Sequence, residues 1–435
     1  MTSAHSSGSA HGTPRDDGPR SGERLRILAI SFDYPPVSSP RAVQISRLLR
    51  HTDGDIALVT ASARDCQDRV DSSNTARAES ALSSCIRVPF RPAGWRHVLD
   101  PIAARAGLNF WNQLPDRYRS WRRSVVARIE RHLAQVRRPH VLVTFGSPMS
   151  DHLIGLELKR RLNLWWLAHF SDPWADNPFA TTGWLAKQLN LSMERRVIAA
   201  ADGLVFTSEE TIDLVFAKYP SGFKSKASVL PHCFEQELYP TSVQPADTSA
   251  IVIRYLGDLY GQRTPEPLFR ALARLVADEP RTLHGVRFEF IGSTYDLPLS
   301  SMGLEALPDG LVVLRPSVPY IESLRMMTEA TALLVVDAPA RLSVFLPSKL
   351  VDYIGASRPV FAITPPGTSA RVVTELGGQV ADPADIPAVA RALSDFIAGL
   401  RRTGGSAVAV HPKTRSAYEA HCVARDFQSL LERCR

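Results

Sequence analysis

The segment FLPSKLVDYIG (345–355) carries residue types that suit anion binding. Pro347 and Ser348 stand where a helix should begin, and serine is a good N-cap residue. Lys349 and Asp352 are three residues apart, so we expect both on one face of the first helical turn. A helix N-terminus attracts anions, a lysine there suits a diphosphate, and the carboxylate can accept hydrogen bonds from a ribose. A plain surface ion pair between the two side chains is the alternative interpretation.

Two polar residues in the first half of the chain accompany a strand-like apolar run. The run LWWLAHF (164–170) contains His169 near its end, and Asp172 follows two residues later. Because ligands of parallel sheets bind where the strands end, both side chains are site candidates. The alternatives are a hydrogen-bonded core histidine for His169 and a turn packed by Trp174 for Asp172. Arg41 begins a helical stretch and is a candidate for contact with a phosphate or a second substrate.

Motifs for several common chemistries are missing. No G-x-G-x-x-G follows the first predicted strand, and neither a P-loop motif nor a G-x-S-x-G elbow occurs, which excludes the usual dinucleotide, NTPase and hydrolase sites. The histidines form no H-x-x-x-H pair and the five cysteines form no C-x-x-C pair. Asp53-Gly54-Asp55 matches a D-x-D metal motif, but its position before the second predicted strand favours a turn. We therefore expect no metal site and no cofactor.

Apolar runs alternate with amphipathic stretches, which predicts parallel sheets covered by helices on both faces. A polar, proline-containing stretch at 233–249 interrupts this alternation, which then restarts. We predict an α/β protein with two Rossmann-like doubly wound domains facing across a cleft, where ligands of such sheets bind. The predicted parts are a disordered tail (1–22), a first domain (23–240), a second domain (241–413) and a last helix (414–435) that returns to the first domain.

Composition and charge narrow the functional classes. The chain has 435 residues and a net charge of +7, with 51 basic and 44 acidic residues. A basic balance fits phosphate-bearing partners. We expect no nucleic-acid partner, because the sequence contains no zinc-finger spacing and no RNP aromatics. No run approaches 18 consecutive apolar residues, so no membrane-spanning helix is predicted, and we expect a cytoplasmic protein.

An arginine-rich helix is predicted over about 117–138. Its apolar residues recur at helical spacing and give one stripe with basic flanks. Such a helix could dock on an anionic membrane, which would place the protein peripherally on the inner membrane face. We favour the alternative that the stripe packs on the protein's own sheet.

The order of several motifs resembles that of glycosyltransferases with the GT-B fold, specifically glycosyltransferase family 4 and its bacterial polysaccharide and lipid-linked glycan relatives. The resemblance covers nearly all of residues 25–434. The motifs that carry it are YPPVSSPR (34–41), AHFSDPW (168–174), ERRVIAAADGLVFTSEE (194–210), YLGDLYGQR (255–263), FIGS (290–293) and the segment 345–363.

This resemblance implies roles in binding a nucleoside diphosphate sugar, the donor. Arg263 and Lys349 would clamp its diphosphate, with Ser348 beside them, and would neutralise the leaving group without a metal. Asp352 stands where the family usually carries a glutamate that holds the ribose. Gly292 would let the nucleotide base approach the backbone, since glycine has no Cβ.

The resemblance also implies roles in the first domain. His169 and Asp172 stand where the family places a polar residue that faces the reacting sugar, and we count them with Arg263 and Lys349 as catalytic candidates. Ser38 and Ser39 replace paired glycines in the first loop, and with Arg41 they are the acceptor or cleft candidates.

The resemblance therefore predicts transfer of a sugar to a glycan, lipid-linked or small-molecule acceptor, with retention at the anomeric carbon. One departure is Val344, which stands where the family has a glutamate near the donor sugar. A nucleotide-sugar epimerase of the same fold and a degenerate GT-B binding protein are the alternatives.

Overall fold

The computed structural model describes residues 23–65, 70–90, 114–180, 182–240, 250–294, 297–404 and 412–434. The predicted tail (1–22) and residues 241–249 of the predicted interdomain stretch lie outside this part. Within it, the chain forms two sheets of parallel strands with helices on both faces. This confirms the predicted fold class.

The first domain contains a seven-stranded sheet in the part of the chain described, with strand order β3-β2-β1-β4-β5-β6-β7. The strands β1, β4, β5 and β6 are buried almost throughout, because helices cover both faces of the sheet. Its elements are β1 (Arg26–Ile30), α1 (Pro40–Arg50), β2 (Asp55–Ala61), α2 (Thr75–Glu79), β3 (Ser84–Val88), α3 (Trp121–Leu133), β4 (Val141–Phe145), α4 (Ser150–Leu162), β5 (Trp165–Phe170), α5 (Trp184–Ala200), β6 (Gly203–Phe206), α6 (Glu209–Phe216), α7 (Ser221–Lys224) and β7 (Ala227–Val229).

The second domain has a sheet with strand order β10-β9-β8-β11-β12-β13, six strands in the described residues. In both sheets the strand order reverses beside the first strand, which opens a crevice at the carboxyl ends of the strands. Its elements are β8 (Ile251–Leu256), α8 (Glu266–Asp278), β9 (Val286–Ile291), β10 (Val312–Arg315), α9 (Tyr320–Glu329), β11 (Ala332–Val336), α10 (Ser348–Ala356), β12 (Val360–Ile363), α11 (Thr368–Glu375), β13 (Gln379–Ala381) and α12 (Ile386–Thr403).

The last segment is two helices, α13 (Pro412–Ser416) and α14 (Ala420–Leu431), where the sequence predicted one. The break has a tertiary cause: Phe234 donates its N–H to the carbonyl of Tyr418 and accepts from the N–H of Ala420. After this break, α14 packs its apolar face into the core of the first domain, through Val423 and Phe427 among others.

The arginine-rich helix α3 is shorter than predicted and covers its own sheet. Trp121, Val125 and Ile129 are all at most 1% exposed and lie in the core of the first domain. The favoured alternative is therefore confirmed, and the apolar stripe of α3 is not accessible to a membrane. Among the described residues, no helix combines the length and the apolar character needed to cross a bilayer.

A buried ion pair joins the two domains. Arg47 of α1 donates to the carboxylate of Asp352 on α10 at 2.8 Å, and the two side chains are 1% and 9% exposed. The same guanidinium donates to the carbonyl of Cys233 at 2.7 Å and lies over the ring of Tyr320, 5.1 Å from its centroid. The Tyr320 hydroxyl also donates to Asp352. These contacts hold α1 against α10.

We expect Asp352→Ala to destabilise the protein, because the change leaves Arg47 buried and unpaired. Removing one partner of a buried ion pair costs about 3–5 kcal/mol, which denaturant unfolding can measure. Asp53→Ala is the matched control, since Asp53 also pairs with an arginine, Arg24, but its side chain is 78% exposed. The control should lose less than about 1 kcal/mol. Equal losses for the two variants would contradict a structural role for the interdomain pair.

Candidate functional site

The loops that follow β8 and β9 are packed backbone against backbone. Gly292 has φ +152°, and a Cβ there would lie 2.3 Å from the carbonyl oxygen of Gly257, so only glycine fits. Asp258 accepts a hydrogen bond from the N–H of Ser293 at 2.8 Å. Because Gly292 has no Cβ, the loop that contains Gly257 can pack directly against it. The two loops together form one rigid edge of the crevice.

Arg263 lies in the loop after β8 and Lys349 in the first turn of α10, and the two side chains come close at this edge. The backbone N–H of Arg263 donates to the carbonyl of Tyr260 at 3.0 Å. The guanidinium of Arg263 lies 5.5 Å from the centroid of the Tyr260 ring. Lys349 is at the start of α10 and donates from Nζ to the hydroxyl of Tyr255. Its Nζ also lies 2.9 Å from the position that a Cβ on Gly257 would take. The structure therefore brings the two predicted cations to one place.

Two basic side chains and two carboxylates interact electrostatically at this place. Burial lowers the pKa of Lys349 well below its usual range, and the charge of Arg263 lowers it further, with partial opposition from Asp337 and Asp258. Arg263 Nε has no hydrogen-bond partner among the described residues. Two cations beside the N-terminus of α10 form a site that an anion would stabilise.

Asp337 is a site residue that sequence reasoning missed. It directly follows β11, accepts from the hydroxyl of Thr364 at 2.9 Å, and lies 3.8 Å from the guanidinium of Arg263. Its side chain is 6% exposed. Its position near the end of the apolar run TALLVVDA (331–338) is the signal that could have identified it, because polar side chains at strand ends of such sheets face the ligand crevice.

Two expectations about α10 need correction. The helix begins at Ser348 with Pro347 as the N-cap residue, and no side chain caps it, because the proline places the turn one residue earlier than predicted. Lys349 and Asp352 do not act on one ligand face or pair with each other: Lys349 contacts Tyr255, whereas Asp352 is directed into the domain interface.

In the first domain, Asp172 is half-buried in the loop after β5. Its carboxylate accepts hydrogen bonds from the hydroxyls of Ser147 and Ser171, both at 2.9 Å. Trp174 packs beneath this loop and donates to Asn190 at 2.8 Å. The loop is therefore held from below while Asp172 remains at the cleft edge.

His169 lies below the cleft surface at 3% exposure. The guanidinium of Arg41 is 3.2 Å from its Nδ1 and donates from Nε to the carbonyl of Gly146. Burial, followed by the charge of Arg41, lowers the pKa of His169 well below its usual range, so the imidazole is neutral. Burial also lowers the pKa of Arg41 to about 10. Arg41 thus ties the ends of β4 and β5 together and is itself 9% exposed.

The first loop is organised by Ser39, the N-cap residue of α1. Its hydroxyl accepts from the N–H of Ala42 at 3.1 Å and donates to Asp33 at 3.0 Å. Ser38 is half-buried beside it. The structure therefore places both serines at the cleft end of α1, where the resemblance expects the first loop.

Val344 belongs to the contact across the cleft. Its carbonyl accepts from the hydroxyls of Ser208 and Thr211 in the first domain, at 2.7 and 2.8 Å. Glu210 adds an ion pair to Arg371 at 2.8 Å. The side chain of Val344 is buried, so it offers no polar group to a ligand.

In the described part of the chain, one group of side chains has metal-ligand spacing: ligand atoms of His51, Glu235 and Glu237 lie within 4.8 Å of one another. Arg50 and Arg77 already form ion pairs with these carboxylates, and the group follows α1 at the edge of the sheet opposite the cleft. It therefore does not resemble a catalytic metal site. The D-x-D motif pairs with Arg24 at the amino end of β2.

No family model and no curated protein sequence matches the chain. HepE from Anabaena, solved with UDP-glucose, has 13% sequence identity over 94% of this chain and 100% of HepE, with a TM-score of 0.64. The lipopolysaccharide outer core galactosyltransferase WaaB has 13% identity over 94% of this chain and 99% of its own, with a TM-score of 0.59. Sucrose-phosphate synthase from Thermosynechococcus elongatus has 14% identity over 94% of this chain and 99% of its own, with a TM-score of 0.65. These neighbours are GT-B glycosyltransferases, and the chain has the GT-B fold.

We expect Lys349→Met to raise the stability of the ligand-free protein. The folded-state pKa of Lys349 is lowered, so the unfolded chain binds more protons, and stability rises with pH up to the ordinary lysine value of about 10.4. Methionine removes this penalty, and each kcal/mol gained raises Tm by about 2–4 °C. The variant should gain most at neutral pH and less at pH 9.5.

Lys224→Met is the matched control for this measurement, because Lys224 is 51% exposed and pairs with Asp213 on the surface. Its Tm should change little at either pH. A Lys349→Met protein that is less stable than the parent at pH 7 would show that the lysine is well accommodated in the empty site.

Proposed function

We propose that the protein is a glycosyltransferase that moves a sugar from a nucleoside diphosphate sugar to an acceptor. The observation that carries this proposal is the proximity of Arg263, in the loop after β8, to Lys349 in the first turn of α10. Both are basic; Asp337 lies 3.8 Å from Arg263 and, with Asp258, only partly offsets the lowering of the Lys349 pKa. A diphosphate would add negative charge beside these two side chains.

The structural neighbours support the choice of donor. HepE was solved with UDP-glucose and with UDP, and the Escherichia coli trehalose-6-phosphate protein OtsA was solved with UDP-2-fluoro glucose. UDP-glucose is therefore the natural first probe. Gly292, in the rigid edge formed by the β8 and β9 loops, would lie beside the nucleotide base, and Ser348 beside the phosphates.

In the proposed mechanism, negative charge accumulates on the diphosphate as the glycosidic bond breaks. Arg263 and Lys349 stabilise that charge as fixed cations, and no metal is required. Asp337 orients Arg263 before the donor binds. Asp352 acts indirectly: its ion pair with Arg47 holds α10 in position, and α10 carries Lys349.

The first domain would supply the other side of the reaction. Asp172, at the cleft edge, is the residue that we propose to face the reacting sugar, and His169 and Arg41 hold its loop against β4. Ser38 and Ser39 lie where the acceptor would enter. We propose retention at the anomeric carbon and a glycan, lipid-linked or small-molecule acceptor, as the sequence resemblance implies; nuclear magnetic resonance of the product reads its anomeric configuration.

We expect Lys349→Ala and Arg263→Ala each to lower kcat/KM for UDP-glucose about ten- to a hundredfold. A lost charge-assisted hydrogen bond costs roughly 1.5–3 kcal/mol, and about 1.36 kcal/mol corresponds to a tenfold change in rate. UDP release, with and without a panel of glycan and lipid-linked acceptors, is the measurement. A chelator should leave the rate unchanged.

The matched control is Arg274→Ala, since Arg274 is 54% exposed on the outer surface of α8 and its loss should leave the rate unchanged. A Lys349→Ala enzyme at full rate, or activity abolished by a chelator, would contradict the site assignment. Conversion of the donor sugar to its epimer without an acceptor would identify the epimerase alternative. Tight UDP binding with no turnover would identify a binding protein.

A further inference from the structure

The first half of α5 exposes large apolar side chains. Trp184 is 76% exposed, Leu185 53% and Leu189 40%. Leucine is among the residues that proteins most often bury, and three large apolar side chains exposed within six residues form an apolar patch. The opposite side of the helix is buried, through Ala186, Val197 and Ile198 among others, so the exposed side chains are not needed for the fold.

The exposed face of α5 continues into basic residues. At 100° per residue, Arg195 and Arg196 fall on the same arc as Trp184 and Leu185, about 16 Å further along the axis. Both arginines are exposed, and neither has an ion-pair partner among the described residues. The face is therefore amphipathic along its length, apolar at the start and cationic at the end.

The neighbouring helix extends this positive charge. α4 packs beside α5 and exposes Arg160 and Arg161 near its end. The acids on the helices in this layer are compensated: Glu130 and Glu157 pair with Arg161 and Arg122, and Glu194 is buried against Lys218. The layer carries an excess of positive charge toward solvent.

A further exposed apolar ring, that of Phe179, lies at the contact between the two domains. Phe179 precedes Trp184 by five residues, a span of at most about 18 Å, and it is 40% exposed. Its ring stacks on that of Phe345 in the second domain, with centroids 5.1 Å apart and an interplanar angle of 18°. Phe345 directly follows Val344, whose carbonyl accepts from Ser208 and Thr211 of the first domain.

We propose that α5 and Phe179 dock on an anionic lipid bilayer. Tryptophan prefers the interface between lipid and water, and an amphipathic helix with a basic flank lies in that interface. Trp184, Leu185 and Leu189 enter the lipid, while Arg195 and Arg196 contact the phosphate groups of the lipid heads. Docking here does not depend on the proposed transferase activity. Together with it, docking would make the acceptor a lipid-linked one, presented at the cleft mouth by the membrane.

The full-length protein should co-sediment with vesicles of phosphatidylcholine and phosphatidylglycerol at low salt, bind weakly to pure phosphatidylcholine, and be released as salt rises. Trp184→Gln/Leu185→Gln should weaken binding to the mixed vesicles about tenfold or more, because each apolar side chain contributes on entering lipid. Arg195→Gln/Arg196→Gln should weaken binding and flatten its salt dependence.

The control is Leu314→Gln/Ile321→Gln, which removes two exposed apolar side chains, 44% and 43% exposed, from the second domain. It should bind vesicles like the parent. UDP binding measured by calorimetry should be unchanged in all three variants, so a failure of docking is distinguishable from a failure of the donor site.

Two outcomes would overturn the proposal. One is the absence of binding to anionic vesicles at low salt, or equal binding by the Trp184→Gln/Leu185→Gln variant. The other is a concentration-dependent dimer in analytical ultracentrifugation that this variant disrupts, which would identify a second copy of the chain as the occupant of the patch.

Discussion

The ion pair between Arg47 and Asp352 connects the two helices on which the geometry of the cleft depends. α1 presents Ser39 and Arg41 at its cleft end, and α10 presents Lys349 at its own. Because the pair joins these helices one to two turns inside their first residues, it sets the relative position of both helix starts. Burying two charges is costly unless other contacts satisfy them, and the Cys233 carbonyl and Tyr320 supply such contacts. A shift of either domain would break the Arg47–Asp352 pair and lift Arg47 from the ring of Tyr320.

The site beside α10 holds two basic side chains close together. Lys349 is confined near Arg263 with Asp337 and Asp258 as the nearby carboxylates that oppose the repulsion. A buried lysine is less favourable for folding than an apolar side chain of the same shape, and proteins commonly sacrifice stability at functional sites. The backbone packing of Gly257 against Gly292 holds the two loops in place. The repulsion between Lys349 and Arg263 is therefore retained in the folded protein.

Two helices in one layer of the first domain show how burial decides which amphipathic face can meet a partner. In α3 the apolar side chains of Trp121, Val125 and Ile129 are buried, and the arginines lie toward solvent. In α5 the core contacts are made by smaller residues such as Ala186, and the large residue Trp184 is left outside. The arginine content of α3 is more conspicuous in the sequence, but α5 is the helix that retains apolar surface for an external contact.

The sequence by itself determined the two doubly wound domains, because continuous apolar runs and helical periodicity are local patterns that the sheets preserve. It also located Lys349, since a basic residue at a helix start is recognisable from its neighbours in the chain, whereas Arg263 was identified through the family resemblance. Only the tertiary structure decided that Asp352 faces Arg47, 305 residues away, rather than a ribose. The same holds for the burial of His169 under Arg41. An ionisable side chain takes the partner that the packing of distant helices brings within hydrogen-bond distance, and local spacing carries no information about that partner.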